Sequence, residues 1–245
     1  MNVAYITFHQ GYTDIILCIG LIFYNLEKYD KIILVMSRKC SKMLEFIFRS
    51  EKKIIIHYYK WKMKRFLKYI NQNYSYTNND DKINYLTYGY HSFKSKKPVR
   101  IALGGYDYFY KHYGIDSSVS YKYFIINRNL NLEKEKYNEI TNRIGEEYII
   151  FNEDNNRNFL IDRKRVNNTF KIFNINGSSE IVFDMILLLE KSKEIHLIST
   201  FWSLIIYFLQ KKYNLFLNIP IYFHNYVRKG YYFHLYENSN WIILN

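Results

Sequence analysis

The sequence predicts a compact α/β protein of two lobes, each built on a parallel sheet. Two observations predict this fold. Short, almost wholly apolar segments alternate with longer amphipathic segments, as buried parallel strands alternate with the helices that cover them. The alternation runs through the chain twice, once on each side of a helix expected over residues 133–144. A hydrophobic fraction of 49% in 245 residues is enough for two cores and excludes a disordered chain.

The first run of elements opens with a buried strand over residues 3–8. A polar turn leads from it into an apolar helix over residues 15–27, and we expect Asp14 or Thr13 to cap this helix by accepting a free backbone N–H. The run continues with a strand, a helix and a third strand at residues 31–37, 38–49 and 54–58.

The middle of the chain has a weaker pattern. We expect a helix at residues 60–70, a polar loop at 71–81 and a strand at 83–90. A linker at 94–98, an aromatic helix at 102–113 and a further strand at 121–126 follow.

The alternation restarts with a strand over residues 147–151. It continues with strands at residues 169–175 and 194–198, helices at 181–192 and 201–213, and short strands near 215–223 and 241–244. Two such runs indicate two Rossmann-like lobes. Because Gly145 ends the 133–144 helix, we place the first lobe at residues 1–145 and the second at residues 146–245.

The chain carries a formal net charge of +13, which favours anionic partners. Its densest basic stretch spans residues 52–68, where aromatic residues are interleaved with the cations. Such a stretch binds a nucleic-acid strand in some proteins. It also reads as a strand followed by a solvated amphipathic helix, and the helical spacing of its apolar residues favours this second interpretation. Nucleic acid is therefore not the expected partner.

The compartment is expected to be the cytoplasm. Two cysteines, Cys18 and Cys40, do not make a disulfide framework, so a reducing compartment fits. The first eight residues lack the basic leader and cleavage site of a signal peptide. The apolar run at residues 15–24 falls well short of the roughly 20 residues that span a bilayer, so no membrane span is expected.

Several strong motifs are absent from the sequence. It contains no G-x-G-x-x-G, no Walker A sequence, no zinc-type spacing of Cys and His, and no Asp-x-Asp. A dinucleotide cofactor, a P-loop NTPase and a structural zinc site therefore have no support. A metal-assisted mechanism lacks its usual ligands, and we expect neither a cofactor nor a metal.

Candidate ligand-binding residues lie in loops that follow predicted strands. In open α/β sheets, ligands bind beyond the carboxyl ends of the strands, where helix N-termini offer free N–H groups to phosphate. The first such loop covers residues 9–14. Asp14 and His9 there are candidates for a general base that deprotonates an acceptor hydroxyl. The alternative is that Asp14 only caps the helix and His9 is a surface turn residue.

Two further loops in the second lobe carry polar side chains. In the first, Arg157 is suited to clamp a phosphate, and Glu153 or Asp154 to bind sugar hydroxyls, although a solvated turn explains them equally well. The other candidates are hydroxyl groups at two expected helix starts, where they suit a diphosphate but also serve as ordinary caps: Ser178, Ser179, Ser199 and Thr200.

Three patches of the chain resemble a known group of enzymes. Residues 9–16, His-Gln-Gly-Tyr-Thr-Asp-Ile-Ile, resemble the glycine-containing entry loop of heptosyltransferase-like glycosyltransferases with the GT-B fold. Residues 147–157 are similar to the strand and loop that open their nucleotide-sugar lobe. Residues 180–184 and 189–201 are similar to their helix, strand and Ser/Thr turn, a layout that GT-B fucosyltransferases share. Thr13 stands where the family has its second glycine, and Ile198 where it often has an aspartate.

The resemblance implies a glycosyltransferase that binds a nucleotide-diphosphate sugar in the second lobe and a carbohydrate acceptor at the first. Asp14, or His9 in its place, would take the proton of the acceptor hydroxyl, and a single displacement without a metal would invert the anomeric centre. The implied donor-binding residues are Gly11, Glu153, Asp154, Arg157, Ser178, Ser179, Asp184, Ser199, Thr200 and Phe201. Two alternatives stay open: a GT-B-like scaffold without catalytic activity, and a basic nucleic-acid-binding protein.

Overall fold

The structure, a computed structural model, describes residues 1–8, 11–59, 82–88, 110, 114–166, 169–179, 181–228 and 239–245. The described residues up to Ile126 form one unit, and those from Asn127 to Asn245 form a second. Each unit has a wholly parallel sheet, so the predicted α/β class is confirmed. Several predicted elements lie outside the described residues: the helix at 60–70, the loop at 71–81, the linker at 94–98 and most of the segment 102–113.

The sheet of the first unit has the strand order β3-β2-β1-β4. Its strands are β1 (Asn2–Phe8), β2 (Lys31–Ser37), β3 (Ile54–Tyr59) and β4 (Lys82–Tyr88). The chain first extends the sheet on one side of β1 and then crosses to place β4 on the other side. This reversal of strand order lies at the carboxyl end of β1, where a ligand crevice is expected in a doubly wound sheet.

The helices of the first unit are α1 (Tyr12–Asn25), α2 (Ser41–Phe48) and α3 (Val119–Lys122). Helix α1 is buried on all sides along its middle, as its all-round apolar sequence requires. Gly20 allows α3 to approach it closely, because a Cβ at this position would lie 2.5 Å from the carbonyl oxygen of Ser120. The hydroxyl of Tyr110 donates to the carbonyl of Leu17 in the same helix. Residues 121–126, predicted as a strand, instead finish α3 and continue without regular structure.

The sheet of the second unit has the strand order β6-β5-β7-β8-β9. Its strands are β5 (Tyr148–Phe151), β6 (Lys171–Asn174), β7 (Ile195–Leu197), β8 (Ile221–His224) and β9 (Ile242–Leu244). Its helices are α4 (Leu130–Ile144), α5 (Ile186–Lys191) and α6 (Phe201–Tyr213). Short 3₁₀ turns occupy Asn155–Arg157, Arg163–Arg165 and Val182–Met185. The strand order reverses between β5 and β7, so the expected crevice of this unit lies at their carboxyl ends.

Helix α4 belongs to the second unit, whereas the sequence places it at the end of the first lobe. The guanidinium of Arg128 explains this grouping, because it binds Glu133 of α4 and Glu190 of α5 together. Glu133 is fully buried, and its hydrogen bond is the main reason that the pKa of Arg128 is raised. Gly145 ends the helix with a φ of 88°, a left-handed conformation that favours glycine.

Among the described residues, the longest apolar helix is too short to cross a membrane.

Replacing Arg128 by Met should destabilise the second unit by about 3–5 kcal/mol, because the buried Glu133 would lose its cation. The double variant Arg128→Met/Glu133→Leu should recover most of that loss, since it removes the buried charge as well. Urea unfolding of the three proteins measures both effects. A loss below about 1 kcal/mol in the single variant would show that the network does not hold α4 in place.

Candidate functional site

The candidate site of the second unit lies where the loops after β5 and β7 diverge. Asn152 follows β5 directly and is fully buried, although a loop residue of this type is usually exposed. Its backbone N–H donates to the carbonyl of His196 at 2.9 Å. Its side-chain oxygen accepts a hydrogen bond of 2.5 Å from the hydroxyl of Thr200, which follows β7. The two loops are therefore joined side chain to side chain at the switch point of the sheet.

The amide nitrogen of Asn152 is buried and has no hydrogen-bond partner among the described residues. The indole nitrogen of Trp202, in the first turn of α6, is in the same state. A buried donor without a partner costs about 1–3 kcal/mol, so native proteins rarely keep one without a reason. Both residues belong to the segments that meet where α6 begins: Asn152 bonds to Thr200, and Trp202 is the second residue of the helix.

The N-terminus of α6 begins at this same point. Thr200 is the N-cap, and its hydroxyl oxygen accepts the backbone N–H of Trp202 at 3.2 Å. Ser203 completes the cap, because its hydroxyl accepts the N–H of Thr200 at 3.4 Å and donates to the carbonyl of Thr200 at 2.7 Å. Ser199 is buried in the preceding turn, and the ring of Phe201 packs 5.3 Å from that of Trp202. The helix has 13 residues, so its positive dipole end favours an anion here.

Glu153 and Asp154 are buried and already engaged within the loop. The Glu153 carboxylate accepts from the N–H of Ile161 at 2.7 Å and pairs with Arg163 at 2.7 Å. Asp154 binds the guanidinium of Arg157 at 2.6 Å, while the Arg157 side chain stays 60% exposed. These acids therefore shape the loop, while the side chains of their partners Arg157 and Arg163 are 60% and 45% exposed.

Ser178, Ser179 and Asp184 form a separate cluster after β6. The Ser178 hydroxyl donates to the carbonyl of Ile175 at 2.6 Å, and the Ser179 hydroxyl donates to Asp184 at 2.8 Å. The other carboxylate oxygen of Asp184 is buried without a partner among the described residues. Burial raises the pKa of Asp184, and the bond from Ser179 partly offsets this. The following helical turn is a four-residue 3₁₀ turn, so these hydroxyls do not stand at a long helix N-terminus.

In the first unit, Gly11 is the N-cap of α1, and the prediction of Asp14 or Thr13 as the cap is wrong. Asp14 lies one turn inside the helix, where its carboxylate reaches back to accept the N–H of Gly11 at 3.2 Å. Asp14 thus accepts a free backbone N–H as expected, but it does so as the third residue of the helix and not as the N-cap. His9, the other predicted base, lies outside the described residues.

A group of arginines covers the loop side of β5 and β8, each packed on an aromatic ring. The guanidinium carbons of Arg163 and Arg165 lie 4.2 Å and 4.3 Å from the ring centres of Phe151 and Tyr226. Those of Arg157 and Arg228 lie 5.9 Å and 5.3 Å from the ring centre of Phe159. The ring faces attract these cations, and Arg157 and Arg163 also donate to the carboxylates of Asp154 and Glu153.

Sequence reasoning missed Asn152, Trp202 and Ser203. The available signal for Asn152 was its place as the first polar residue after a wholly apolar strand, at the carboxyl end where ligands bind. Among the described residues, no three His, Cys, Asp or Glu side chains are grouped to hold a metal ion.

The comparisons with known proteins show the fold. No protein-family model and no curated protein sequence matches the chain. The crystal structure of the glycosyl transferase family 9 protein from Veillonella parvula DSM 2008 matches with a TM-score of 0.55 and 9% sequence identity. The match covers 99% of this chain and 86% of that one. The chain therefore has the fold of a glycosyltransferase.

Replacing Asn152 by Leu should change the free energy of unfolding by less than about 1 kcal/mol in the absence of ligand. The bond to Thr200 is lost, but the unpaired buried N–H disappears with it, and the two effects are of similar size. Thr200→Val, which removes a helix cap, should cost about 1 kcal/mol and serves as the control. If Asn152→Leu cost 3 kcal/mol or more in urea unfolding, the Asn152 amide would be structural and fully paired.

Proposed function

We propose that the protein is a cytoplasmic glycosyltransferase that moves a sugar from a nucleotide-diphosphate donor to a hydroxyl of a carbohydrate acceptor without a metal ion. The observation that carries the proposal is the unpaired buried amide of Asn152 at the N-terminus of α6. The likeness in fold to a glycosyltransferase supports it.

The donor's diphosphate is assigned to the N-terminus of α6. Phosphate oxygens are acceptors, so one of them suits the free N–H of Asn152. The helix dipole and the first-turn backbone N–H groups favour the same negative charge. Arg157 is an exposed cation of the loop after β5, and its guanidinium suits the outer edge of the ligand. Glu153 and Asp154 act by holding this loop in shape, since internal partners already engage both carboxylates.

The proposed reaction is a single displacement. The acceptor hydroxyl attacks the anomeric carbon, its proton passes to Asp14 or His9, and the bond to the nucleotide diphosphate breaks with inversion. General-base help of this kind contributes about 10²–10⁴-fold. Each preorganised donor aimed at the leaving diphosphate, Asn152 among them, contributes roughly 10²–10³-fold.

A scaffold without catalytic activity is the second candidate. The engagement of Glu153 and Asp154 inside the loop favours it, because neither carboxylate is free to hold a sugar hydroxyl. Such a protein would bind a nucleotide but release no nucleotide diphosphate from any sugar donor.

The first test is a thermal-shift screen against UDP, GDP, ADP, CMP and TDP in EDTA. A ligand at 100 times its dissociation constant adds about 2.7 kcal/mol of stability, which gives a clear rise in Tm. We expect one nucleoside diphosphate to stabilise the wild type and the surface control Lys134→Ala, but not Asn152→Leu, with Arg157→Ala in between.

If none of the nucleotides raises the Tm, the donor site is refuted. If Asn152→Leu responds like the wild type, the nucleotide binds elsewhere. Should a nucleotide bind, release of nucleotide diphosphate from the matching sugar donor separates the enzyme from the scaffold.

A further inference from the structure

Four buried or half-buried side chains of the second unit form one continuous row of hydrogen bonds. His196 in β7 contacts Glu194 at 3.0 Å through Nε2 and His224 at 2.9 Å through Nδ1. His224, at the end of β8, contacts the hydroxyl of Tyr226 at 3.0 Å through its own Nδ1. The Tyr226 oxygen also accepts the backbone N–H of Asp162 at 3.1 Å. We call Glu194, His196, His224 and Tyr226 the histidine chain.

The charge of Glu194 sets the direction of every bond in the histidine chain. A carboxylate only accepts, so His196 donates to it through Nε2–H and accepts at Nδ1. His224 must then donate through Nε2–H and accept the hydroxyl hydrogen of Tyr226 at Nδ1. With both imidazoles neutral, this arrangement places the proton of each ring on Nε2 and gives each ring nitrogen a partner.

The surroundings oppose a positive charge on either imidazole. Arg163 and Arg165 lie over neighbouring rings on the loop side, and Glu194 is the one acid in the histidine chain. Two neutral rings also lie against His196: Tyr222 of β8 stacks on it at 4.7 Å, and Phe151 of β5 lies at 4.8 Å. Burial, then Arg163, lowers the pKa of His196 to about 4. Burial, then His196 and the two arginines, lowers the pKa of His224 to about 3, while burial raises the pKa of Glu194.

We propose that the histidine chain is an acid-sensitive latch that holds residues 161–165 on the second sheet. Two contacts join this segment to Tyr226: the N–H of Asp162 donates to its hydroxyl, and Arg165 stacks on its ring. A proton added at Nδ1 of His224 makes this nitrogen a donor, so the Tyr226 hydroxyl becomes its acceptor. The same proton places a positive charge near Arg163 and Arg165. The segment is then repelled from β8.

Release of the segment reaches the candidate site through Glu153. The N–H of Ile161 and the guanidinium of Arg163 hold the carboxylate of this residue, which follows Asn152 in the chain. Acid therefore loosens the loop that carries Asn152. The latch does not depend on which ligand binds there, so its test is independent of the test of the proposed function.

The two lowered histidine pKa values set the direction of the pH dependence, and the raised pKa of Glu194 acts against them. Both pKa values in the closed state lie below the value of about 6.5 of a free imidazole, so the released state binds more protons below pH 6.5. Closure is complete above pH 6.5 and is lost progressively as the pH falls from there toward 4. Between pH 7.5 and 5.0, each histidine that becomes free on opening should increase the open population about 30-fold.

Amide hydrogen exchange of residues 161–165, corrected for the intrinsic rate at each pH, tests the latch on the full chain without ligand. We expect the protection factor of this segment to fall about tenfold or more between pH 7.5 and 5.0. Protection of β2 (Lys31–Ser37) in the first unit should stay constant. His224→Gln keeps a donor and an acceptor but does not titrate, so its segment should show a much weaker pH dependence. Tyr226→Phe should lower the protection at both pH values.

Nitrogen NMR of the wild-type histidines provides a measurement that needs no variant. We expect both rings to be neutral at pH 7 with the proton on Nε2. An equal pH response in His224→Gln and the wild type would overturn the latch. So would a His196 or His224 signal that titrates near pH 6.5 in the folded protein.

Discussion

Burial of β5 on both faces is the constraint on which the second unit depends. All four residues of this strand are inaccessible to solvent, and the strand pairs on both sides, with β6 and β7. The chain is still buried when it leaves the strand, so Asn152 needs partners for a backbone N–H and a side-chain amide in a place without water. His196 and Thr200 supply two of them. The neighbouring strand β7 and the cap of α6 thus both bond to one residue, β7 through the Asn152 backbone and the cap through its side chain.

The same constraint explains why the acids after β5 are structural. Glu153 and Asp154 follow Asn152 while the chain is still almost buried, and a buried carboxylate requires a cation or N–H donors. Arg163 and Arg157 provide the cations, and the loop folds back on itself to bring them there. Arg157 and Arg163 therefore neutralise the carboxylates of their own loop.

Local patterns in the sequence predicted helices and strands well. They could not predict contacts between residues that are far apart in the chain. The apolar run at residues 31–37 coincides with β2. A parallel strand that is buried on both faces is apolar along almost its whole length, so the sequence reveals it directly. Residues 121–126 are also rich in apolar side chains, but their first residues complete α3, whose start packs against Gly20 of α1. Thr200 was found as a cap from its local sequence. Its partner Asn152 is 48 residues away, so neither the contact nor the unpaired amide has a local signature. The contact between His196 and His224 could not be predicted either, because it depends on the register in which β7 pairs with β8.

The close packing that Gly20 permits also affects how the chain emerges during synthesis. Helix α1 is apolar on every side, and residues far along the chain cover part of it: Tyr110 binds Leu17 from 93 residues away, and Val119 and Ser120 lie against Gly20. A ribosome adding ~5–20 residues per second needs roughly 5–19 s to make the intervening chain. For that time one face of α1 is without its native cover. The first unit therefore cannot complete its fold until residues 110–120 have been made. The time for which the apolar surface of α1 can aggregate depends on the rate of translation.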